Sequence, residues 1–119
     1  MKKILLALLA SAGMTFGAMA ADVPVFPGGQ EALNKFITEN MKYPAPAKDN
    51  GVEGVVTLRL TVKPDGTIGA IKVVRMVDPD LEQEAIRIAK IMPAWTPADK
   101  DGQAIEAPVE VPITFELPQ

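Results

Sequence analysis

The stretch Val56–Val62 limits the fold more than any other part of the chain. Val56, Leu58, Leu60 and Val62 are apolar, while Thr57, Arg59, Thr61 and Lys63 occupy the alternate positions. Period two with one polar face specifies a half-buried antiparallel strand, because successive side chains point to opposite faces. Pro64-Asp65-Gly66 follows at once, a turn signal in which proline presets φ and glycine accepts a positive one. The chain then returns as a second strand from Thr67 to Met76. The neighbouring Val73 and Val74 break its alternation and predict a bulge or strand end there.

Helical spacing frames this hairpin. Leu33, Phe36, Ile37 and Met41 form one apolar stripe that starts after Gly28-Gly29 and stops at Tyr43-Pro44. A short turn or helix over residues 45–50 ends at Gly51, a natural left-handed cap. Asp78-Pro79-Asp80 opens a second helix, with Asp80 expected as N-cap and Gln83 as its capping-box partner. Leu81, Ala85, Ile88, Ala89 and Met92 make its buried face, and Pro93 ends it. A polar loop with Asp99-Lys100-Asp101-Gly102 leads to a last strand expected from about Ile105 to Leu117. Its Val109, Val111, Ile113, Phe115 and Leu117 face one way, and Pro108 and Pro112 share the polar face. Proline cannot donate to a ladder and belongs at an edge or a bulge, so this strand is expected to be long and at least partly unpaired along one side. The expected fold is α+β, a three-stranded antiparallel sheet packed against two helices.

The N-terminus carries a different signal. Lys2-Lys3, the apolar run from Ile4 and the small-x-small Ala18-Met19-Ala20 have the three parts of a secretory signal peptide. The 17 residues Ile4–Ala20 include Ser11, Gly13, Thr15 and Gly17, whereas a spanning helix needs about 20 strongly apolar positions. The expected organisation is a signal peptide at 1–20 cleaved after Ala20, a short extended lead at 21–27 and one domain at 28–119. The expected location is the periplasm. Without Lys2 and Lys3 the 12 basic residues fall to 10 against 15 acidic ones, a net charge of −5. No clustered basic footprint for nucleic acid is evident. Membrane contact is expected only if the signal stays uncleaved.

Cysteine and histidine are both missing, and Ser11 in the leader is the one serine. The usual metal ligands, the common general base and the cysteine nucleophile are therefore unavailable. Asp78, Asp80, Glu82 and Glu84 form the densest acidic group, and capping with the helix dipole accounts for them as readily as calcium does. Asp99 and Asp101 lack the later glutamate of a calcium loop. Gly28-Gly29 could cradle an anion or simply free the chain to start a helix. Trp95 reads as a core anchor, with a sugar-stacking platform as its alternative. No catalytic residue, metal site or cofactor is expected.

Tyr43-Pro44, Ala47, Gly51, Gly54, the strand Val55–Val62, Pro64-Asp65-Gly66, and Trp95 with Pro97 together resemble the C-terminal domain of the TonB energy transducer. Phe26-Pro27-Gly28-Gly29 resembles the version common in the Bacteroidetes, and Val111-Pro112-Ile113-Thr114-Phe115 fits the family's closing strand. The resemblance covers about residues 25–117. It implies a periplasmic module that takes an extended segment of an outer-membrane receptor, the TonB box, as an added strand. Glu110, Val111, Ile113, Thr114, Phe115 and Glu116 would then form the partner-binding edge. Tyr43, Pro44, Gly51, Gly54, Asp65, Gly66, Trp95 and Pro97 would be structural. Pro112 interrupts the donor row of that edge.

The partner is expected to be a TonB-dependent receptor or another envelope protein, and the same edge would also allow pairing between two copies. Two other readings stand beside this one. In the first, an uncleaved signal anchors the domain as a component of an energy-transducing transport system. In the second, Trp95 and the carboxylates serve a carbohydrate-binding domain or an enzyme. About seven residues lie between the expected signal and the domain, a reach of roughly 25 Å even when extended. That tether favours a free-standing binding module over force transmission. Intact-mass measurement on protein purified from cells is expected to give a chain beginning at Ala21; a mass that retains residues 1–20 would establish the anchored form.

Overall fold

The computed structural model describes residues 23–118, so the expected signal at 1–20 lies outside the described residues. The elements run in the order α1 (Gly29–Asn40), α2 (Ala45–Asp49), β1 (Gly54–Val62), β2 (Ile68–Arg75), α3 (Pro79–Lys90), β3 (Ala98–Lys100), β4 (Gln103–Ile105) and β5 (Ala107–Phe115). The main sheet has the order β2-β1-β5 and is antiparallel throughout, as the alternating pattern requires. β3 and β4 form a separate two-stranded sheet.

β1 is the centre of the molecule. Val56, Leu58, Leu60 and Val62 have no exposed surface, and Val111, Ile113 and Phe115 of β5 lie beside them on the same face. Leu81, Ala85, Ile88 and Ala89 of α3 close over that face, and Leu33 and Ile37 of α1 join the cluster. Burying one such side chain is worth about 1.5–3 kcal/mol, so this two-layer contact dominates the stability. The other face of the sheet presents Thr57, Arg59, Thr61, Glu110 and Thr114, and the aligned Arg59–Glu110 pair meets at 2.9 Å. Both partners are about half exposed, so the pair adds little to stability.

The lead belongs to this packing. Val25 exchanges two backbone hydrogen bonds with Thr96 at 2.9 and 2.8 Å. Phe26 is buried edge-on against Trp95, with ring centres 5.4 Å apart, and also meets Phe36 at 5.6 Å.

Three details differ from the sequence expectation. Asp78, not Asp80, is the N-cap of α3: its carboxylate accepts from the N–H groups of Asp80 and Leu81 at 3.0 and 3.1 Å. Pro79 occupies the first turn, where a missing N–H costs nothing. Glu82, rather than Gln83, reaches back to the N–H of Val77 at 2.8 Å. The polar loop is a hairpin, because Asp101 and Gly102 take φ values of +53° and +81° and form a tight turn between β3 and β4. Ile105 consequently belongs to β4, and the last strand spans Ala107–Phe115.

Gly66 shows how the hairpin turn is fixed. Its φ is +90°, its carbonyl accepts from Trp95 N–H at 2.8 Å, and an added Cβ would lie 2.2 Å from the Trp95 carbonyl oxygen. Gly66→Ala is expected to destabilise the domain by at least about 2 kcal/mol through a strained φ and a clash with backbone. Denaturant unfolding monitored by Trp95 fluorescence measures this, and an unchanged midpoint would contradict it.

Candidate functional site: the open edge of the last strand

The sheet has two edges, and they are built differently. β2 is irregular: its pairing with β1 shifts between Thr57 and Leu58, where Val74 is the extra residue, and again between Leu60 and Val62. Bulges twist an edge strand away from further pairing. β5, in contrast, keeps an unbroken register with β1 over nine pairs, from Gly54 opposite Phe115 to Val62 opposite Ala107. Among the described residues no strand pairs with its far side.

The prolines show which backbone groups face that free side. Pro108 and Pro112 lie opposite Thr61 and Thr57 in the unbroken register. Prolines in a strand present their nitrogen to the edge rather than to a neighbour's carbonyl. Since N–H direction alternates along a strand, the amides of Glu110 and Thr114 also point to the open side. Those of Val111, Ile113 and Phe115 turn toward β1, and these three side chains are in the core. Of the six edge residues singled out in the sequence, Glu110 and Thr114 thus have amides on the open side, Glu116 lies just past the strand end, and the other three are buried in the core. The carbonyls of Pro108 and Pro112 remain acceptors.

A cleft runs along this edge. One part, about 500 Å³, lies between Asn34, Ile37, Thr38 and Met41 of α1 and Pro112, Thr114 and Glu116. A second part, about 320 Å³, lies between the lead with Gln30 and Leu33 and the β5 residues Val109 to Pro112. The first helix therefore acts as an outer wall, which its apolar stripe alone did not reveal.

That wall is held by Glu84, which sequence reading left among the capping carboxylates. Glu84 is 8% exposed; its carboxylate accepts from Arg87 Nε at 2.8 Å, from a terminal Arg87 nitrogen at 2.7 Å and from Lys42 N–H at 2.7 Å. Arg87 also donates to the Asn40 carbonyl at 2.6 Å, so α3 grips the C-terminal end of α1. Burial alone would raise the Glu84 carboxyl, but the hydrogen bonds from Arg87 and Lys42 outweigh it and hold the group below its ordinary value of 4.5. The same hydrogen bonding raises Arg87. The signal for this pair was Glu84 to Arg87 at i,i+3 on a helix whose stripe at 84 is otherwise apolar.

The remaining motif residues serve the scaffold. The Tyr43 hydroxyl donates to the Val52 carbonyl, and its ring stands edge-on to Phe115 with centres 5.8 Å apart. Burial, with the carboxylates of Glu53 and Asp78, pushes its hydroxyl pKa up, so it stays a donor. Pro44 caps α2, Gly51 takes φ +68° after it, and a Cβ on Gly54 would meet Val77 at 2.6 Å. Asp65 accepts from Thr67 N–H and Oγ1 at 3.0 and 2.6 Å, bonds that lower its carboxyl pKa. Trp95 is 4% exposed and Pro97 is half-buried beside it. The sugar-stacking reading of Trp95 is corrected by this burial, since too little of the side chain is exposed to serve as a stacking platform.

The domain is thus an antiparallel α+β fold whose β5 edge, unpaired among the described residues, is bordered by a cleft. The family model of the Gram-negative bacterial TonB protein C-terminal matches residues 39–117, and the chain belongs to that family. Two NMR structures of the Helicobacter pylori TonB C-terminal domain share its fold. The longer form is 24% identical, with 92% of this chain and 99% of that one covered and a TM-score of 0.57. The shorter is 23% identical, covering 72% and 90%, with a TM-score of 0.53. No curated protein matches the sequence. The family comprises envelope-associated protein-interaction domains of Gram-negative bacteria that generally engage outer-membrane receptors. Among the described residues no helix is long and apolar enough to cross a membrane.

The lowered Glu84 carboxyl has a definite pH consequence. Its stabilisation is complete above pH 4.5 and is lost as pH falls through the lower folded value. Glu84→Ala is therefore expected to cost about 2 kcal/mol near pH 7, with the gap from the parent narrowing as pH drops toward about 3. Urea unfolding at both pH values checks this, and a gap that widens in acid would refute it.

Proposed function

We propose that the domain works in the periplasm as a protein-binding module and takes an extended segment of an outer-membrane receptor, or of a related envelope protein, as a strand added to β5. The observation that carries this reading is the unbroken β5 register beside an open edge, with the cleft along it. Family membership supports the class of partner. The leader-like residues 1–20 support export, with cleavage after Ala20.

The edge sets limits on the incoming strand. Donors are offered at Glu110 and Thr114 and omitted at Pro108 and Pro112, so main-chain bonding is discontinuous. The cleft beside Thr114 is lined by Asn34, Thr38 and Met41, and these side chains would supply selectivity on the segment's outward positions. Pairing of two copies through the same edge is the competing use of this surface.

Thr114→Pro tests the reading with little risk to the fold, because Pro108 and Pro112 already occupy equivalent positions. It is expected to weaken binding of a TonB-box peptide about fivefold by removing one donor, while Ile113→Pro, whose amide faces β1, is expected to unfold the sheet. Titration calorimetry on the parent and the Thr114 variant reads the difference. No binding by the parent at millimolar peptide would reject the proposal.

A further inference from the structure

The uncovered face of the sheet carries an uneven charge distribution that the strand-addition reading does not use. The chain as a whole has a net charge of −3, yet its β1–β2 hairpin holds Arg59, Lys63, Lys72 and Arg75 against a single acid, Asp65, placed in the turn. In the β1–β2 register Arg59 lies directly opposite Lys72, and Arg75 lies opposite Thr57. Arg59 and Thr57 alternate with the buried Val56, Leu58 and Leu60, so these cations share the face that none of the described helices covers. Lys63 follows at the hairpin end, and a Cβ on Gly69 would lie 3.2 Å from its Cε.

Like charges directly across a strand pair are destabilising. Only Arg59 is relieved, by Glu110 of β5 at 2.9 Å. Among the described residues, Lys63, Lys72 and Arg75 have no carboxylate within ion-pair distance. An edge lysine such as Lys72 guards against strand pairing, but β2 already has its two bulges for that purpose. Beside Arg75, Val74 is 44% and Met76 80% exposed. Arginine and methionine next to apolar surface are the composition that protein interfaces favour.

We infer that the outer face of the β1–β2 hairpin is a second docking surface, separate from the β5 edge, and that it receives an acidic protein segment carrying apolar side chains. Charge complementarity selects the occupant. Glu110 and Glu116, on β5 and just beyond it, oppose an anionic bilayer laid across the whole sheet, whereas a narrow acidic segment over β2 meets Lys72 and Arg75 away from Glu110, with Asp65 confined to the turn. A partner held at β5 by its backbone could be steered here by its carboxylates, which would affect association rate and salt dependence more than the strand contact does.

The test uses the purified protein and a synthetic peptide of about ten residues that alternates glutamate with leucine, beside a glutamine-for-glutamate control, at low salt and at about 0.15 M. Amide chemical shifts are expected to move at Thr57, Arg59, Lys72 and Arg75. The combined Lys72→Glu and Arg75→Glu variant is expected to weaken binding at least about tenfold, with native amide dispersion retained. If that variant does not fold, Lys72→Gln and the salt dependence of the parent make the same measurement. Thr114→Pro should leave this binding unchanged, which separates its failure from that of the strand-addition reading. Equal binding of the glutamine control, shifts confined to β5, stronger capture by anionic phosphatidylglycerol vesicles than by the peptide, or self-association through this face would each overturn the inference.

Discussion

Everything in this domain depends on the burial of one side of β1 while both of its edges are hydrogen-bonded. Val56, Leu58, Leu60 and Val62 have no accessible surface because α3 and α1 lie on them and β2 and β5 flank them. A slip of one residue would expose all four, so the register is tightly specified. That specification passes outward. β5 is aligned by β1, and the prolines of β5 can therefore be aimed at the open side rather than into the ladder.

The two edges then differ in kind. Bulges and cations make β2 a poor template for another strand, while β5 remains straight and half-furnished with donors. The helices do more than cover the core. Through Glu84, Arg87 and the Asn40 carbonyl, α3 holds α1 in position beside β5 and so shapes the cleft. A stability element and a candidate recognition element are in this way the same piece of structure.

Much of this was legible in residue order. The β1 alternation, the Pro64-Asp65-Gly66 turn, the bulge at Val74 and the edge role of a proline-bearing last strand all follow from local rules, and the structure has them. The N-cap of α3 was misplaced by two residues because Asp78 and Asp80 are equally good caps, and only the carboxylate's position over the first turn separates them. The β3–β4 hairpin was missed although Asp101-Gly102 is a strong two-residue turn signal. Its strands are only three residues long and carry no alternation to read.

By itself the sequence determined the three strands of the main sheet, the long helices, the buried face of each and the family, since periodicity, turn chemistry and motif order are properties of neighbouring residues. Tertiary structure alone decided three things: that Gly66 must be bare because the Trp95 carbonyl lies against it, that Glu84 joins two helices, and that α1 walls the edge of β5. Each depends on a distance between residues about 30 or more positions apart in the chain. Such distances are set by how the layers pack, which no local pattern encodes.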